Sequence, residues 1–458
     1  MRRDPFLPTQ ATVALVLMLA ASSGTAQDRR KVVEPTIPPV CVTLQAKLTL
    51  HDGKLVADDE SKLDTDRLQR ALRECAPGKA VELATAESTN AFLTGPLQIP
   101  AGVTLLVDGG VTLEASRDPR LYDVQPGSCG LVNDAPPGCK PLLSVSHAPH
   151  AAVMGEGVID GRGQEPLLHQ QITWWDLAEK ARSGGRQQVP RLIVADQSND
   201  FTLYRITLRN SPNFHVVFSH AHGFTVWNLK IDTPQHARNT DGVDPGSAED
   251  ITVAHSFIRT GDDNIAIKGS EGGVGFMTVE DNHFYYGHGM SIGSETYGGV
   301  HDILVKHLAL DGPDNAIRIK SNPSRGGIVE RVTCTDVCIR NSRWPIVMQT
   351  NYNNPGPFTN RVPQYRDIHL QNVRIAGGGT VSIEGFDEQH RVSASLDGVL
   401  LDVPQQYKLI ATHAAITYGP GPVNFILKGD DVFASGKPLK GTLAPCGTMF
   451  VPFESVNN

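Results

Sequence analysis

Residues 201–208 read FTLYRITL and residues 224–231 read FTVWNLKI, and both segments carry the same pattern of apolar positions. Apolar residues alternate with other residues, two spacers follow, and the alternation resumes. This period of two, in segments rich in Val, Ile and Leu, predicts β-strands and not helices. The pattern returns six more times, as ITVAHSFI, MTVEDNHF, ILVKHLAL, VTCTDVCI, IHLQNVRI and ASLDGVLL.

The spacing of these segments indicates how they pack. A unit this short cannot bury its own apolar side, so successive units must stack on one another. The sequence therefore predicts an all-β, single-domain solenoid, a right-handed parallel β-helix. A β-propeller is the main alternative, but its blades need longer repeats with four strands each. The third position of the pattern falls at Leu203, Val226, Val253, Val279, Val305, Cys334, Leu370 and Leu396. Successive positions are separated by 23, 27, 26, 26, 29, 36 and 26 residues.

Both ends of such a solenoid need covering. Residues 64–75 read DTDRLQRALREC and place Leu68, Ala71 and Leu72 on one face, which predicts an amphipathic capping helix within an N-terminal cap of about residues 41–80. Residues 405–458 lack the repeat, and we expect them to form an irregular tail that closes the other end.

The N-terminus predicts export from the cytoplasm. Arg2 and Arg3 precede an apolar run at residues 11–21, and small residues before position 26 suit cleavage after Ala26. The run is too short to span a bilayer, so we expect a signal peptide at residues 1–26 and no membrane partner. The mature chain, residues 27–458, is then secreted to the periplasm or the medium.

Charge and cysteine content narrow the possible functions. The mature chain carries 39 Lys and Arg against 48 Asp and Glu, which excludes the basic surface of a nucleic-acid-binding protein. All seven cysteines lie in the mature chain, in a compartment that permits disulfides. Cys41 with Cys75, and Cys129 with Cys139, are the natural local pairs, although spacing alone does not fix connectivity.

Three further cysteines fall outside these local pairs. In VTCTDVCI, Cys334 takes an inward position and Cys338 an outward one, and side chains on opposite faces cannot meet the geometry of a disulfide. We therefore expect Cys334 to be a buried free thiol. The partners of Cys338 and Cys446 stay open.

Four polar clusters follow the apolar pattern on successive units. They contain Asn239 and Asp241 in NTD, Asp262 and Asp263 in GDD, His288 in GHG, and Arg318 and Lys320 in RIK. Asp241, Asp262, His288 and Arg318 lie 15, 9, 9 and 13 residues after the preceding apolar anchor. Any one cluster alone is compatible with an ordinary turn or a solvated edge. Together they predict a groove on one side of coils that stack about 4.8 Å apart.

The residue types in this groove suit the cleavage of a glycosidic bond. Such a reaction needs one carboxyl group to protonate the leaving oxygen and another to activate water. Crowding of Asp241, Asp262 and Asp263 raises the cost of ionising all three, so one can stay protonated near neutral pH. Arg318 and Lys320 point outward together, which suits a substrate that bears carboxylates.

The motifs NTD, GDD, GHG and RIK, in this order on a repeating β-chain, resemble the pectin-degrading polygalacturonases of glycoside hydrolase family 28. Further segments, including VTLLVDGGVTLEA, NSPNFHVVFS and GHGMSIGSET, are similar to secreted bacterial endopolygalacturonases, from about Cys41 to Leu401. The resemblance implies endo-acting, inverting hydrolysis of α-1,4-galacturonosidic bonds in polygalacturonate by a monomer without metal or cofactor. It also supports the two local cysteine pairs.

The resemblance also assigns roles to the carboxylates and the histidine. Asp262 matches the general acid of the family. Asp241 and Asp263 match the carboxylates that activate water, and His288 matches a histidine that supports protonation of the acid.

Four further residues are matched to substrate binding. Arg318 and Lys320 match the cations that hold a galacturonate carboxylate at the cleavage point. Tyr352 aligns with a tyrosine that contacts substrate, and Asn239, the first residue of its motif, is expected to position the site.

Three alternative functions remain open from the sequence. The first is an exo-acting enzyme, or one that cuts a decorated pectin such as rhamnogalacturonan. The second is a pectate lyase, in which Asp241, Asp262 and Asp263 would bind Ca²⁺. The third is a β-helix that binds polysaccharide without cleaving it.

Overall fold

The computed structural model describes residues 27–353 and 360–455. The signal peptide predicted at residues 1–26 lies outside these residues. The chain winds into a parallel β-helix, as the sequence predicts, and the eight repeat positions stack directly on one another. Each is buried and pairs in parallel register with the next, from Leu203 with Val226 through to Leu370 with Leu396.

Parallel pairing between successive coils divides the strands into three sheets that run along the solenoid. The first sheet contains the repeat positions. Its strands are Val40–Gln45, Lys79–Ala84, Val103–Val107, Ala152–Met154, Phe201–Tyr204, the second halves of Val216–Trp227 and Val243–Ala254, Val274–Glu280, Val300–Lys306, the first halves of Ile328–Arg340, Gln364–Ala376 and Val392–Leu401, then Ala414–Tyr418 and Val432–Gly436.

The second sheet follows the first on each coil after a short turn. Its strands are Ala91–Thr94, Thr112–Ala115, Val158–Asp160, Thr207–Arg209, Lys230–Asp232, Phe257–Arg259, His283–Phe284, Ala309–Asp311 and the second halves of Ile328–Arg340, Gln364–Ala376 and Val392–Leu401.

The third sheet completes each coil and carries the predicted functional residues. Its strands are Leu97–Gln98, Leu143–Ser146, Ile193–Asp196, the first halves of Val216–Trp227 and Val243–Ala254, Ile265–Ile267, Met290–Ile292, Asn315–Lys320, Trp344–Gln349, Gly379–Glu384 and Tyr407–Thr412. Outside the solenoid, Leu131–Asn133 pairs antiparallel with Arg186–Gln188.

Two α-helices are present in the described residues, Thr65–Glu74 and Trp174–Lys180. The first is the predicted capping helix, which buries Leu68 and Leu72 in the same core as the strands. Asp64 precedes this helix, but its carboxylate pairs with Arg67 and makes no hydrogen bond to the helix backbone. In the described part of the chain, neither helix has the length and apolar character needed to cross a bilayer.

The prediction of an irregular tail from residue 405 is wrong in its starting point. Strands Tyr407–Thr412, Ala414–Tyr418 and Val432–Gly436 extend the first and third sheets by parallel pairing. The repeat pattern misses them because it covers a first-sheet strand together with the second-sheet strand after it, and in the described residues no second-sheet strand follows Ala414–Tyr418 or Val432–Gly436. Short 3-10 turns follow, at Gly447–Met449 and Phe453–Ser455.

The residues after the last strand fold back along the outside of the second sheet. Arg374 donates to the carbonyl of Ala444, and further back along the solenoid Tyr285 donates to the carbonyl of Val451. Phe453 is buried at the end of this path. The tail therefore covers one side of the solenoid, because its contacts run across several coils.

Three disulfides are present, and Cys334 is a buried free thiol as expected. The local pairs Cys41–Cys75 and Cys129–Cys139 both form. The structure also decides the open question by joining Cys338 to Cys446, which holds the returning tail against the second sheet. Three disulfides indicate an oxidising compartment outside the cytoplasm.

Candidate active site

The four predicted polar clusters lie at consecutive strands of the third sheet, three of them just before a strand and the fourth within one. Parallel register explains their alignment, because Val243 pairs with Ile265, Ile265 with Met290, and Met290 with Ile317. Asp241, Asp263 and His288 thus lie above one another, and Arg318 lies three residues further along its strand, beside Ser291. Asp241 precedes Val243–Ala254, Asp262 and Asp263 precede Ile265–Ile267, His288 precedes Met290–Ile292, and Arg318 and Lys320 lie within Asn315–Lys320.

Asp262 is the carboxylate of the cluster that remains partly open to solvent, with 19% of its side chain exposed. Its Oδ1 lies 3.1 Å from Nδ1 of His288, on the next coil. Its Oδ2 accepts a hydrogen bond of 3.4 Å from the amide of Asn239, on the preceding coil. Asp262 is therefore held from both sides while one face stays accessible.

Asp263 is fully buried and is surrounded by positive charge. Nζ of Lys320 lies 2.7 Å from its Oδ2, and the hydroxyl of Ser291 donates to its Oδ1 at 2.7 Å. Nη1 of Arg318 lies 3.5 Å from the same Oδ1. The two cations of the RIK motif thus neutralise Asp263 two coils away, because residues 318 and 320 project from the same face of their strand.

Arg318 and Lys320 also share an aromatic neighbour. The guanidinium carbon of Arg318 lies 5.1 Å from the ring centre of Tyr352, and Nζ of Lys320 lies 5.3 Å from it. Nε and Nη1 of Arg318 are buried and have no hydrogen-bond partner among the described residues. Such donors suit an anionic ligand, because a buried charged donor without a partner is costly.

Asp241 is buried beside two residues that the sequence interpretation missed, Asp244 and Lys268. Nζ of Lys268 lies 3.5 Å from Oδ2 of Asp241 and 4.0 Å from Oδ2 of Asp244. Oδ1 of Asp241 and both oxygens of Asp244 have no hydrogen-bond partner among the described residues. Asp244 comes shortly after the NTD motif, and Lys268 comes shortly after the GDD motif. A further charged residue just after each motif was the signal in the sequence that could have identified both.

Burial and neighbouring charge distribute the protons unevenly among these carboxylates. Burial raises the pKa of Asp241 well above its ordinary value, and the charges of Asp244 and Asp262 raise it further. Burial likewise raises the pKa of Asp244, to about 7. Burial alone would raise the pKa of Asp263, but the positive charge of Lys320 holds it below its ordinary value.

The pKa of Asp262 is not raised by the crowding of the three carboxyl groups. Burial alone would raise the pKa of Asp262, but the hydrogen bond and the charge of His288 hold it below its ordinary value. Crowding therefore favours a proton on Asp241 and Asp244. The prediction that one of the three crowded carboxyls keeps a proton thus applies to Asp241 and not to Asp262, because the hydrogen bond and charge of His288 outweigh burial at Asp262.

Comparison with known proteins agrees with this arrangement. Residues 83–410 match the family described as glycosyl hydrolases family 28. The chain belongs to this family. It is 40% identical over 386 residues to an endo-polygalacturonase of Pectobacterium carotovorum subsp. carotovorum, an alignment covering 84% of this chain and 92% of the relative.

Two further comparisons extend over most of the chain. A polygalacturonase of Ralstonia nicotianae is 34% identical over 505 aligned positions, covering 95% of both proteins. The solved structure of a polygalacturonase from Erwinia carotovora ssp. carotovora superposes with a TM-score of 0.73 at 37% identity, over 90% of this chain and 97% of that chain. The predicted membership of glycoside hydrolase family 28 is confirmed.

The glycines around His288 serve coil packing in this family 28 hydrolase. Gly287 has a φ of 107°, in the left-handed region, and an added Cβ would lie 2.6 Å from the carbonyl oxygen of Asp262. At Gly289 an added Cβ would lie 2.2 Å from the carbonyl oxygen of Asn315. Neighbouring backbone therefore fills the space beside both glycines, and the coils can pack this closely only without a side chain at these positions.

One group of side chains in residues 27–353 and 360–455 has the spacing of a metal site. Ligand atoms of Asp262, Asp263 and His288 lie within 4.8 Å of one another. Lys320 already neutralises Asp263 at 2.7 Å, however, and Ca²⁺ prefers six to eight oxygen ligands. The donor set and the adjacent ammonium group therefore fit a divalent cation poorly.

Proposed function

We propose that this protein is an endo-acting polygalacturonase that hydrolyses α-1,4-galacturonosidic bonds in de-esterified pectin. The observation that carries the proposal is the row of an accessible carboxylate, a buried carboxylate and two cations, Asp262, Asp263, Arg318 and Lys320, on neighbouring coils. The identity to bacterial endo-polygalacturonases supports the same substrate and mode of action.

The leaving group needs a proton, and the Asp262–His288 pair supplies it. The hydrogen bond between Asp262 Oδ1 and His288 Nδ1 lets the two groups share one proton. When the glycosidic oxygen lies against Asp262, the carboxyl group passes this proton to it as the C–O bond breaks. His288 then acts by keeping a proton available to Asp262.

The attacking water is held by Asp241 and Asp263. Asp263 stays ionised beside Lys320 and orients the water as a hydrogen-bond acceptor. Burial favours the protonated form of Asp241, which holds the water by a hydrogen bond, and the ionised Asp263 takes the proton of the water as its oxygen bonds to the anomeric carbon. Attack opposite the leaving group inverts the anomeric configuration, so the first product has the β configuration.

The cations bind the carboxylate of the sugar at the cleavage point. Nε and Nη1 of Arg318 are buried and make no hydrogen bond among the described residues, and the guanidinium carbon lies 5.1 Å from the ring centre of Tyr352. A guanidinium binds a carboxylate in a two-point fork, which fixes the orientation of the ring. Asn239 contributes by holding Asp262 through its amide.

The deciding experiment compares wild type with Asp262→Asn on polygalacturonate. We expect wild type to release reducing ends and mixed oligomers early in the reaction, and the variant to bind the polymer without cleaving it. Release of galacturonate monomer or dimer alone would replace endo with exo action. No reducing ends from wild type, with binding intact, would favour a polysaccharide-binding protein.

The lyase alternative makes an opposite prediction. A lyase would form an unsaturated product that absorbs in the ultraviolet and would lose activity with EDTA. We expect an EDTA-insensitive reaction without that absorbance, since Lys320 rather than a metal neutralises Asp263.

Location and assembly are further parts of the proposal. We propose that the protein is secreted after cleavage of residues 1–26 near Ala26 and acts as a monomer on pectin. The mass of the exported protein and its sedimentation in solution test both statements.

A further inference from the structure

A cavity of about 460 Å³ opens beside the catalytic row, on the coils that precede it. Asn239 forms its border with the active site. The opposite wall comes from Arg186–Gln188, which pairs with Leu131–Asn133, and from the disulfide-held loop that ends at Cys139. Its volume lies within the range of ligand pockets, which is roughly 300–1,000 Å³.

Arg191 and Phe214, which line this cavity, continue the catalytic row. The row consists of five residues, each of which lies two positions before a strand residue of the third sheet. These five strand residues pair with one another in parallel register from coil to coil. Coils stack about 4.8 Å apart, so Arg191 stands about 10 Å from the level of Asp241. In order along the solenoid the row is Arg191, Phe214, Asp241, Asp263 and His288.

Three guanidinium groups line the cavity, those of Arg186, Arg191 and Arg238. Within residues 27–353 and 360–455, none of them has a carboxylate within 4.0 Å. Arg238 is fixed by a hydrogen bond of 2.7 Å from its Nη1 to the carbonyl of Ala178. Arg191 is held with its guanidinium carbon 5.2 Å from the ring centre of Phe214. The cavity thus offers positive charge that is not held in a direct ion pair, although the charges of Asp244 and Asp241 act on Arg191 from a greater distance.

The groove continues beyond this cavity. A second cavity, of about 650 Å³, shares Pro141 with the first and reaches Thr65 at the capping helix. It carries another cation, Lys140. A polymer can therefore extend past the first cavity along the solenoid, and the bound section of chain passes several coils.

We propose that the cavity lined by Arg186, Arg191 and Arg238 is a substrate subsite that binds the carboxylate of a galacturonate residue remote from the cleaved bond. The inference rests on the proposed function, because it takes its ligand class from a polyuronate substrate. Guanidinium groups recognise carboxylates by paired hydrogen bonds, which a methyl ester satisfies poorly. The subsite therefore selects unesterified residues at this position.

The test compares Arg191→Gln and Arg238→Gln with Arg73→Gln, a control on the exposed side of the capping helix. On polygalacturonate we expect KM to rise about tenfold or more for each cavity variant, since each loses charge-assisted hydrogen bonds. The control keeps the KM of wild type. On highly methyl-esterified pectin the cavity variants and the control differ by less than twofold.

Folding and function are separated by two further measurements. Thermal unfolding identifies a variant that does not fold. If Arg191→Gln does not fold, Arg191→Lys replaces it. This variant keeps the positive charge but loses the two-point hydrogen bonding of a guanidinium, so we expect it to raise KM as well. Calorimetry measures the affinity of a galacturonate oligomer for Asp262→Asn and for the double variant Asp262→Asn with Arg191→Gln. This comparison tests the subsite without turnover. Weaker binding in the double variant supports the subsite even if wild type proves inactive. Equal binding, or a KM equal to that of the control in folded variants, overturns it.

Discussion

Nδ1 of His288 lies 3.1 Å from Oδ1 of Asp262, across two adjacent coils, and this contact governs the pKa of Asp262. His288 lowers the pKa of Asp262 against the effect of burial. In the proposed mechanism the acid is thus a pair that shares one proton, and not a single carboxyl group kept neutral by its neighbours.

Replacing His288 by Ala therefore changes both the rate and its pH dependence. We expect kcat to fall about a hundredfold, within the range for general acid catalysis. The alkaline limb of the kcat profile also shifts, because without His288 burial acts unopposed and raises the pKa of Asp262, which then titrates as a single group. Steady-state kinetics from pH 4 to 8 measures both effects, and an unchanged alkaline limb in the variant would contradict the shared proton.

Lys320 and Asp263 form a buried ion pair, so removing one partner costs stability as well as activity. Lys320→Met leaves the buried charge of Asp263 without its partner, and we expect a loss of about 3–5 kcal/mol in the free energy of unfolding. The double variant Lys320→Met with Asp263→Asn removes both charges and recovers most of that loss, while staying inactive. Urea unfolding of the two variants checks this, and equal destabilisation of both would show that the pair is not coupled.

Asp244 makes stability depend on pH. Burial raises its pKa from 3.8 to about 7, so the folded protein holds a proton that the unfolded chain releases. Stability is then lost as pH rises from about 4 through 7, by at most about 4 kcal/mol at 1.36 kcal/mol per pKa unit. Asp244→Asn cannot ionise, and we expect it to be more stable than wild type at pH 8 but not at pH 4. Urea unfolding at both values tests this; a gain of equal size at pH 4 would point to packing instead of ionisation.

The disulfide between Cys338 and Cys446 closes a loop of 108 residues and holds the returning tail. In the chain-entropy account a loop of this length stabilises by about 4–5 kcal/mol. Cys338→Ser with Cys446→Ser is expected to lower Tm and to expose the tail to proteolysis. Cys334→Ala, which removes a buried sulfur without breaking a disulfide, is the control, and a Tm loss no greater than in that control would argue against the clamp.

Much of the site was visible in the sequence because a stacked solenoid has simple geometry. Residues in phase along the repeat must lie above one another once the strands pair in parallel register. Asp241, Asp262, Asp263 and His288 were found in this way. Arg191 belongs to the same row but was missed, because it precedes the first clear repeat and carries no motif.

The winding follows from the order of residues along the chain, since a period-two apolar pattern recurring about every 26 residues has one way to bury itself, by stacking. The protonation of each carboxylate depends on the folded chain, since its pKa is set by burial and by charges that other coils contribute, such as Lys268 beside Asp241 and Lys320 beside Asp263. The return of the tail and the pairing of Cys338 with Cys446 also needed the folded chain. No local pattern encodes a contact between segments that meet only after the solenoid has formed.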